Sequence, residues 1–67
     1  MFKLKRITGK EVDLMVIEKM TDNGLQEHTR VALNPKSKGN DAIYTALESY
    51  TYRLSQEVSA NVERVNH

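Results

Sequence analysis

The 67-residue chain has no cysteine, no tryptophan and a single proline. Without cysteine there is no disulfide scaffold, no thiolate metal site and no catalytic thiol. Neither sign of charge dominates. Ten Lys and Arg against nine Asp and Glu leave a formal charge of +1, which excludes a strongly basic nucleic-acid tail and an acidic mimic of DNA. No apolar run approaches the roughly 20 residues of a membrane-spanning helix, and no signal peptide precedes the first charged residues. Hydrophobic residues at 39% and charged residues at 28% suit one small soluble domain over residues 1–67, expected in the cytoplasm.

The first half reads as strands. Phe2-Lys3-Leu4-Lys5-Arg6 alternates apolar and basic residues, the pattern of a strand with one buried face. A second run, Glu11 to Met20, is rich in Val, Ile, Leu and Met, and a third extends from Leu25 to Leu33 before Asn34-Pro35 ends it. Asn23-Gly24 between the second and third runs is a strong hairpin signal, because a type I′ turn needs positive φ at both central residues. With those two residues as the loop, Val16 faces Val31 and Leu14 faces Leu33. A three-residue loop at Ile7-Thr8-Gly9 pairs Leu4 with Val12 and Phe2 with Leu14, and sets Lys5 against Glu11 and Lys3 against Asp13 on the other face. The expectation is a three-stranded antiparallel meander with the second strand in the middle.

The second half reads as one long helix from about residue 41 to 65. Ile43, Leu47, Tyr50, Leu54, Val58 and Val65 fall on one stripe at about 100° per residue, and Asn40 or Asp41 is placed to cap the N-terminus. The fold class expected is therefore α+β, in the order β-β-β-α, with the helix packed on one sheet face. Its core would be Phe2, Leu4, Val12, Leu14, Val16, Val31, Leu33, Ile43, Leu47, Tyr50 and Leu54.

Catalysis has little to stand on. General acid–base chemistry needs a positioned titratable group in a concave site, and the two histidines, His28 and His67, have no partner at a metal or triad spacing. No phosphate-binding glycine loop, nucleophile elbow or cofactor motif occurs, so no enzyme activity and no cofactor are expected. Lys36, Ser37 and Lys38, just before the helix N-terminus, form the one candidate anion site.

Binding surfaces are better supported. In the expected register Met15 and Ile17 point outward with Arg30, beside Lys19 and His28. That is an apolar centre with a basic rim, the anatomy of a protein interface. A homodimer would form through the C-terminal helices, where Val58, Asn61, Val62, Val65 and Tyr52 are the candidate contacts, or through the outer sheet face. A buried Asn in an apolar seam often sets register by pairing with its symmetry mate. Domains this small rarely gain more than about 3–5 kcal/mol from their own core, so a second copy is the natural supplement.

The expected function is thus a non-enzymatic protein-binding module that acts as a homodimer on a larger protein target. In size and composition alone, short, cysteine-free and without a catalytic set, the chain is similar to the small inhibitor proteins that bacteriophages encode against host enzymes or defence systems. The alternative is a small dimeric nucleic-acid-binding protein that uses Lys3, Lys5 and Arg30 on the sheet with Lys36 and Lys38 in the turn.

Overall fold

The computed structural model describes the backbone of residues 1–65 and the side chains of residues 1–57. Strands β1 (Phe2–Thr8), β2 (Asp13–Thr21) and β3 (Gly24–Leu33) form one antiparallel sheet in the order β1-β2-β3. Helix α1 (Asn40–Val65) follows and lies on one face. The class is α+β with the element order that the periodicities predict.

Both hairpin registers differ from those expected. In the first, Leu4 pairs with Ile17, Arg6 with Met15 and Thr8 with Asp13. The connection is the four-residue segment 9–12, closed by the Gly9 N–H donating to the Val12 carbonyl at 2.8 Å. This deeper register lets all seven residues of β1 lie along the same stretch of β2 that pairs with β3. The shallower register would have left the second half of β2 unpaired on that side.

In the second hairpin Thr21 pairs with Gly24, so Asp22 and Asn23 form the turn. Neither has positive φ; that conformation falls on Gly24 alone, at 108°. A type I′ turn at Asn23-Gly24 is therefore replaced by a turn that ends in a positive-φ glycine, a commoner partner of bulged hairpins. The ladder also shifts between Ile17 and Glu18, where Glu18 pairs with Glu27 but Ile17 pairs with Thr29, leaving His28 as the extra residue. Beyond the bulge Met15 faces Val31 and Leu14 faces Ala32.

A one-residue slip exchanges the two faces of a strand. The inward set of β2 is accordingly Asp13, Met15 and Ile17, not Val12, Leu14 and Val16. Met15 and Ile17 are each 1% exposed and sit under the helix with their row neighbours Leu4, Arg6, Thr29 and Val31. Val12 is exposed in the β1–β2 connection, whereas Phe2, Leu4, Val31 and Leu33 do face inward, half-buried.

The helix starts one residue earlier than expected, and no side chain of Asn40 or Asp41 caps it. The first intrahelical bond runs from the Ile43 N–H to the Gly39 carbonyl, and Asn40 turns inward to the sheet. Over the sheet α1 buries Asn40 and Thr51 and half-buries Tyr44, Leu47, Leu54 and Ser55, while Ile43 and Tyr50 remain exposed. It packs chiefly on β1 and less on β2.

Candidate functional site

Three groups of side chains could carry a function. The first is a polar cluster that ties the helix N-terminus to the sheet. Arg6 and Asp13 lie in phase with the apolar inward residues of their strands, near the end where the helix begins. The Arg6 guanidinium donates to both Asp13 carboxylate oxygens, at 2.9 and 2.6 Å, and to Asp41 at 3.0 Å. Its Cζ lies 5.3 Å from the Tyr44 ring centre. The Asn40 amide donates to Asp13 at 3.1 Å and to the Asn34 carbonyl at 2.8 Å.

Asp13 is 2% exposed, yet the hydrogen bonds from Arg6 hold its carboxyl below the usual range. Burial opposes that shift, and the Asn40 amide adds to it. The same bonds raise the Arg6 guanidinium further above its already high value. Both Asp13 oxygens are engaged by other members of the cluster. The chemistry is structural: it joins β1, β2, the connector and α1 at one point. Sequence reasoning missed it, although an Arg and an Asp in the apolar phase of two paired strands were the available signal.

The second group is the connector. Asn34 organises it: its side-chain oxygen accepts the Lys36 N–H at 3.0 Å, and its carbonyl accepts the Ser37 N–H at 3.0 Å. Lys36, Ser37 and Lys38 are exposed and line a shallow depression of about 330 Å³ with Arg6, Asp13 and Asp41. The two carboxylates offset the cations there, and Arg6 is already engaged by both of them. An anion would meet two flexible ammonium groups and little else. Replacing both, Lys36→Glu with Lys38→Glu, is expected to change stability by less than about 1 kcal/mol in urea denaturation and to leave binding activity intact.

The third group is the face of the sheet opposite the helix, and here the corrected register matters most. Its side chains form four rows across the strands. Ile7, Leu14 and Ala32 make an apolar row at one end. Lys5, Val16 and Arg30 follow, then Lys3, Glu18 and Glu27. Met20 and Leu25 close the far end, next to Met1, whose carbonyl accepts the Met20 N–H. Val16 is buried although no helix lies above it, flanked by the long stems of Lys5 and Arg30. Ile7 at 49%, Met20 at 53% and Leu25 at 48% exposure are open to water. Each cation near the centre has an acid beside it: Lys5 lies 3.9 Å from Glu18 and Arg30 2.8 Å from Glu27.

The residues expected to form the partner surface are therefore dispersed. Met15 and Ile17 are core residues under the helix. Arg30 does project from the outer face. Lys19 is opposite Phe2, on the helix side of the sheet, and His28 occupies the bulge with its ring edge-on to Phe2 at 5.1 Å. Of the helix residues, Tyr52 is 65% exposed and its hydroxyl accepts a hydrogen bond from Gln56. Val58, Asn61, Val62 and Val65 lie outside the residues whose side chains are described.

Among the described residues no group of three His, Asp or Glu side chains is placed to hold a metal ion, and no helix is long and apolar enough to cross a membrane. Compared with known proteins, the chain matches no family model, no curated protein and no solved structure.

Proposed function

We propose that the protein is a non-enzymatic binding module that recognises a protein partner through the outer face of its sheet. One observation carries this reading. A sheet covered by a helix on one side leaves the apolar row Ile7, Leu14 and Ala32, spanning all three strands, with nothing over it among the described residues. Contiguous apolar surface with a polar rim is the usual composition of a protein interface. Its partner is a surface with an apolar strip and charges of both signs, since Lys5 and Arg30 border the row and Glu18 and Glu27 lie in the row beyond them.

The same ion pairs weigh against nucleic acid. A phosphate backbone needs cations free to replace its counterions, and here Lys5 and Arg30 already face carboxylates. No aromatic ring lies on the outer rows to stack a base. Nucleic-acid binding stands as the second reading, with Lys3, Lys36 and Lys38 as its cations.

Ile7→Glu with Ala32→Glu tests the proposal. Both positions are exposed, so stability in urea is expected to change by less than about 1 kcal/mol. A partner retained by the immobilised wild-type protein should be lost by the variant and should survive 0.5 M salt on the wild type, where the screening length is about 4 Å. Retention by both forms would place binding elsewhere. Retention of nucleic acid that washes off with salt would establish the second reading instead.

A further inference from the structure

The two edges of the sheet are not alike. Along an antiparallel strand the backbone groups alternate, one residue turned to its neighbour strand and the next away from it. The Met20 N–H donates to the Met1 carbonyl, and this fixes the phase for all three strands. On β1 the groups of Leu4, Arg6 and Thr8 turn outward with those of Phe2, whose N–H donates to the Ser55 hydroxyl of α1 at 3.3 Å. That edge has the helix packed beside it, carries Lys3 and Lys5, and turns the charged Arg6 inward. Each is a device that keeps an edge from pairing with another chain. β3, at the other end of the sheet, has neither Lys nor Pro, and α1 packs mainly on β1 and β2.

In the same phase Gly24, Gln26, Thr29, Val31 and Leu33 face β2, because their partners Thr21, Lys19, Ile17, Met15 and Asp13 turn toward β3. The groups of Leu25, Glu27, Arg30 and Ala32 are left pointing at the open edge, and all four residues are exposed. Their spacing is two, three, two, since the bulge at His28 adds a residue between Glu27 and Arg30. A bulge ordinarily spoils an edge for pairing. Here the spacing reads the same in both directions, so the edge fits an antiparallel copy of itself.

We infer that β3 pairs with β3 of a second copy about a two-fold axis beside His28 and Thr29, joining two three-stranded sheets into one of six strands. Only one register engages all four outward residues of each copy. It sets Leu25 opposite the partner's Ala32 and Glu27 opposite the partner's Arg30. The backbone alone selects that register, yet the side chains it brings together also agree: apolar meets apolar, and acid meets base on both sides of the axis. The outer face becomes continuous as well. The row Ile7, Leu14 and Ala32 runs on into the partner's Leu25 and the partner's Met20, which each copy otherwise leaves open to water. The row Lys5, Val16 and Arg30 runs on into the partner's Glu27 and the partner's Glu18. The inference stands on the β3 edge and does not require the outer face to bind another protein.

Light scattering on the full chain at tens of micromolar is expected to give twice the 7.7 kDa monomer mass. Glu27→Arg alone and Arg30→Glu alone each set like charges opposite one another across the axis, and each should weaken self-association by about tenfold or more. Mixed in equal amounts, the two variants should associate as the wild type does, because every acid again meets a base. The Glu27–Arg30 contact within one chain, at 2.8 Å, is lost in both variants and cannot produce that rescue. Should a charge variant lose its fold, single cysteines in this cysteine-free chain decide. Spin labels at His28→Cys, beside the axis, should lie closer together than labels at Lys5→Cys, which are five strand spacings or about 24 Å apart. Folded variants that do not associate on mixing, or the reverse order of label distances, would each overturn the inference. So would a monomeric wild type, and one that still retains a protein partner would leave the outer-face proposal standing.

Discussion

Met15→Lys is expected to unfold the protein at 25 °C, seen as loss of the far-ultraviolet circular dichroism of both sheet and helix. Met15 is 1% exposed at the centre of the three-stranded row Arg6, Met15 and Val31, beneath the helix. Truncating a buried Met to Ala alone costs about 2–5 kcal/mol, comparable to the whole stability of about 3–5 kcal/mol that a core of this size supplies. Lysine adds the cost of an ammonium group with no acid placed to receive it, since the nearby Asp13 carboxylate is held by Arg6 and Asn40. Ile7→Lys, on the opposite face, is the matched control and should stay folded. Urea denaturation of the pair decides between registers: had the sheet presented Leu14 and Val16 to the helix, Met15→Lys would be the harmless substitution. A folded Met15→Lys within 1 kcal/mol of wild type, as an estimate of the usual effect of a surface change, would refute the observed register.

The second large effect is expected at the ion pair. Asp13→Asn removes the charge that receives the Arg6 guanidinium through two hydrogen bonds, and leaves a largely covered cation without its main partner. Breaking one half of such a pair is far more damaging than losing a surface contact, and a fall in Tm of the order of ten degrees or more is expected by differential scanning calorimetry. Replacing both members by apolar residues, Arg6→Met with Asp13→Leu, should recover most of that loss, because neither charge is then stranded. If the double substitution is as damaging as the single, the pair itself holds the helix and is not merely tolerated.

The pair also predicts a pH dependence with a definite sign. Arg6 holds the folded-state carboxyl of Asp13 below its unfolded value. The pair therefore contributes its full stabilisation above the unfolded carboxylate pKa of about 3.9, and that contribution is lost as pH falls through the lower, folded value. Wild-type Tm should drop on acidification over that interval. The acid limb should be shallower in Asp13→Asn, which has no proton to take up at this position.

The sequence was legible wherever the signal was local. The 3.6 period of Ile43, Leu47 and Leu54, the alternation of Phe2, Leu4 and Arg6, and the stop at Asn34-Pro35 each concern a few neighbouring residues, and the elements formed where those patterns lie. Phe2, Leu4, Val31 and Leu33 were correctly placed inward because the large apolar residues of those stretches fall mainly in one phase, with Ile7 and Ala32 in the other. β2 offered no such discrimination. Leu14 and Val16 in one phase compete with Met15 and Ile17 in the other, and no pattern within the strand separates them.

What resolved the choice is tertiary. The long β1–β2 register and the bulge at His28 align three strands at once, and together they present Met15 and Ile17 to the helix. Asp13 then shares that face, where only Arg6 and Asn40, brought from other elements, make its burial tolerable. The helix face is settled the same way: α1 buries Asn40 and Thr51 on the sheet and leaves Ile43 and Tyr50 exposed, which its apolar periodicity alone did not predict. Local residue chemistry sufficed to determine the elements and their order. Which face of a doubly apolar strand is inside, and hence which surface is free to bind, depends on contacts between residues far apart in the chain, and only the packed structure decided it.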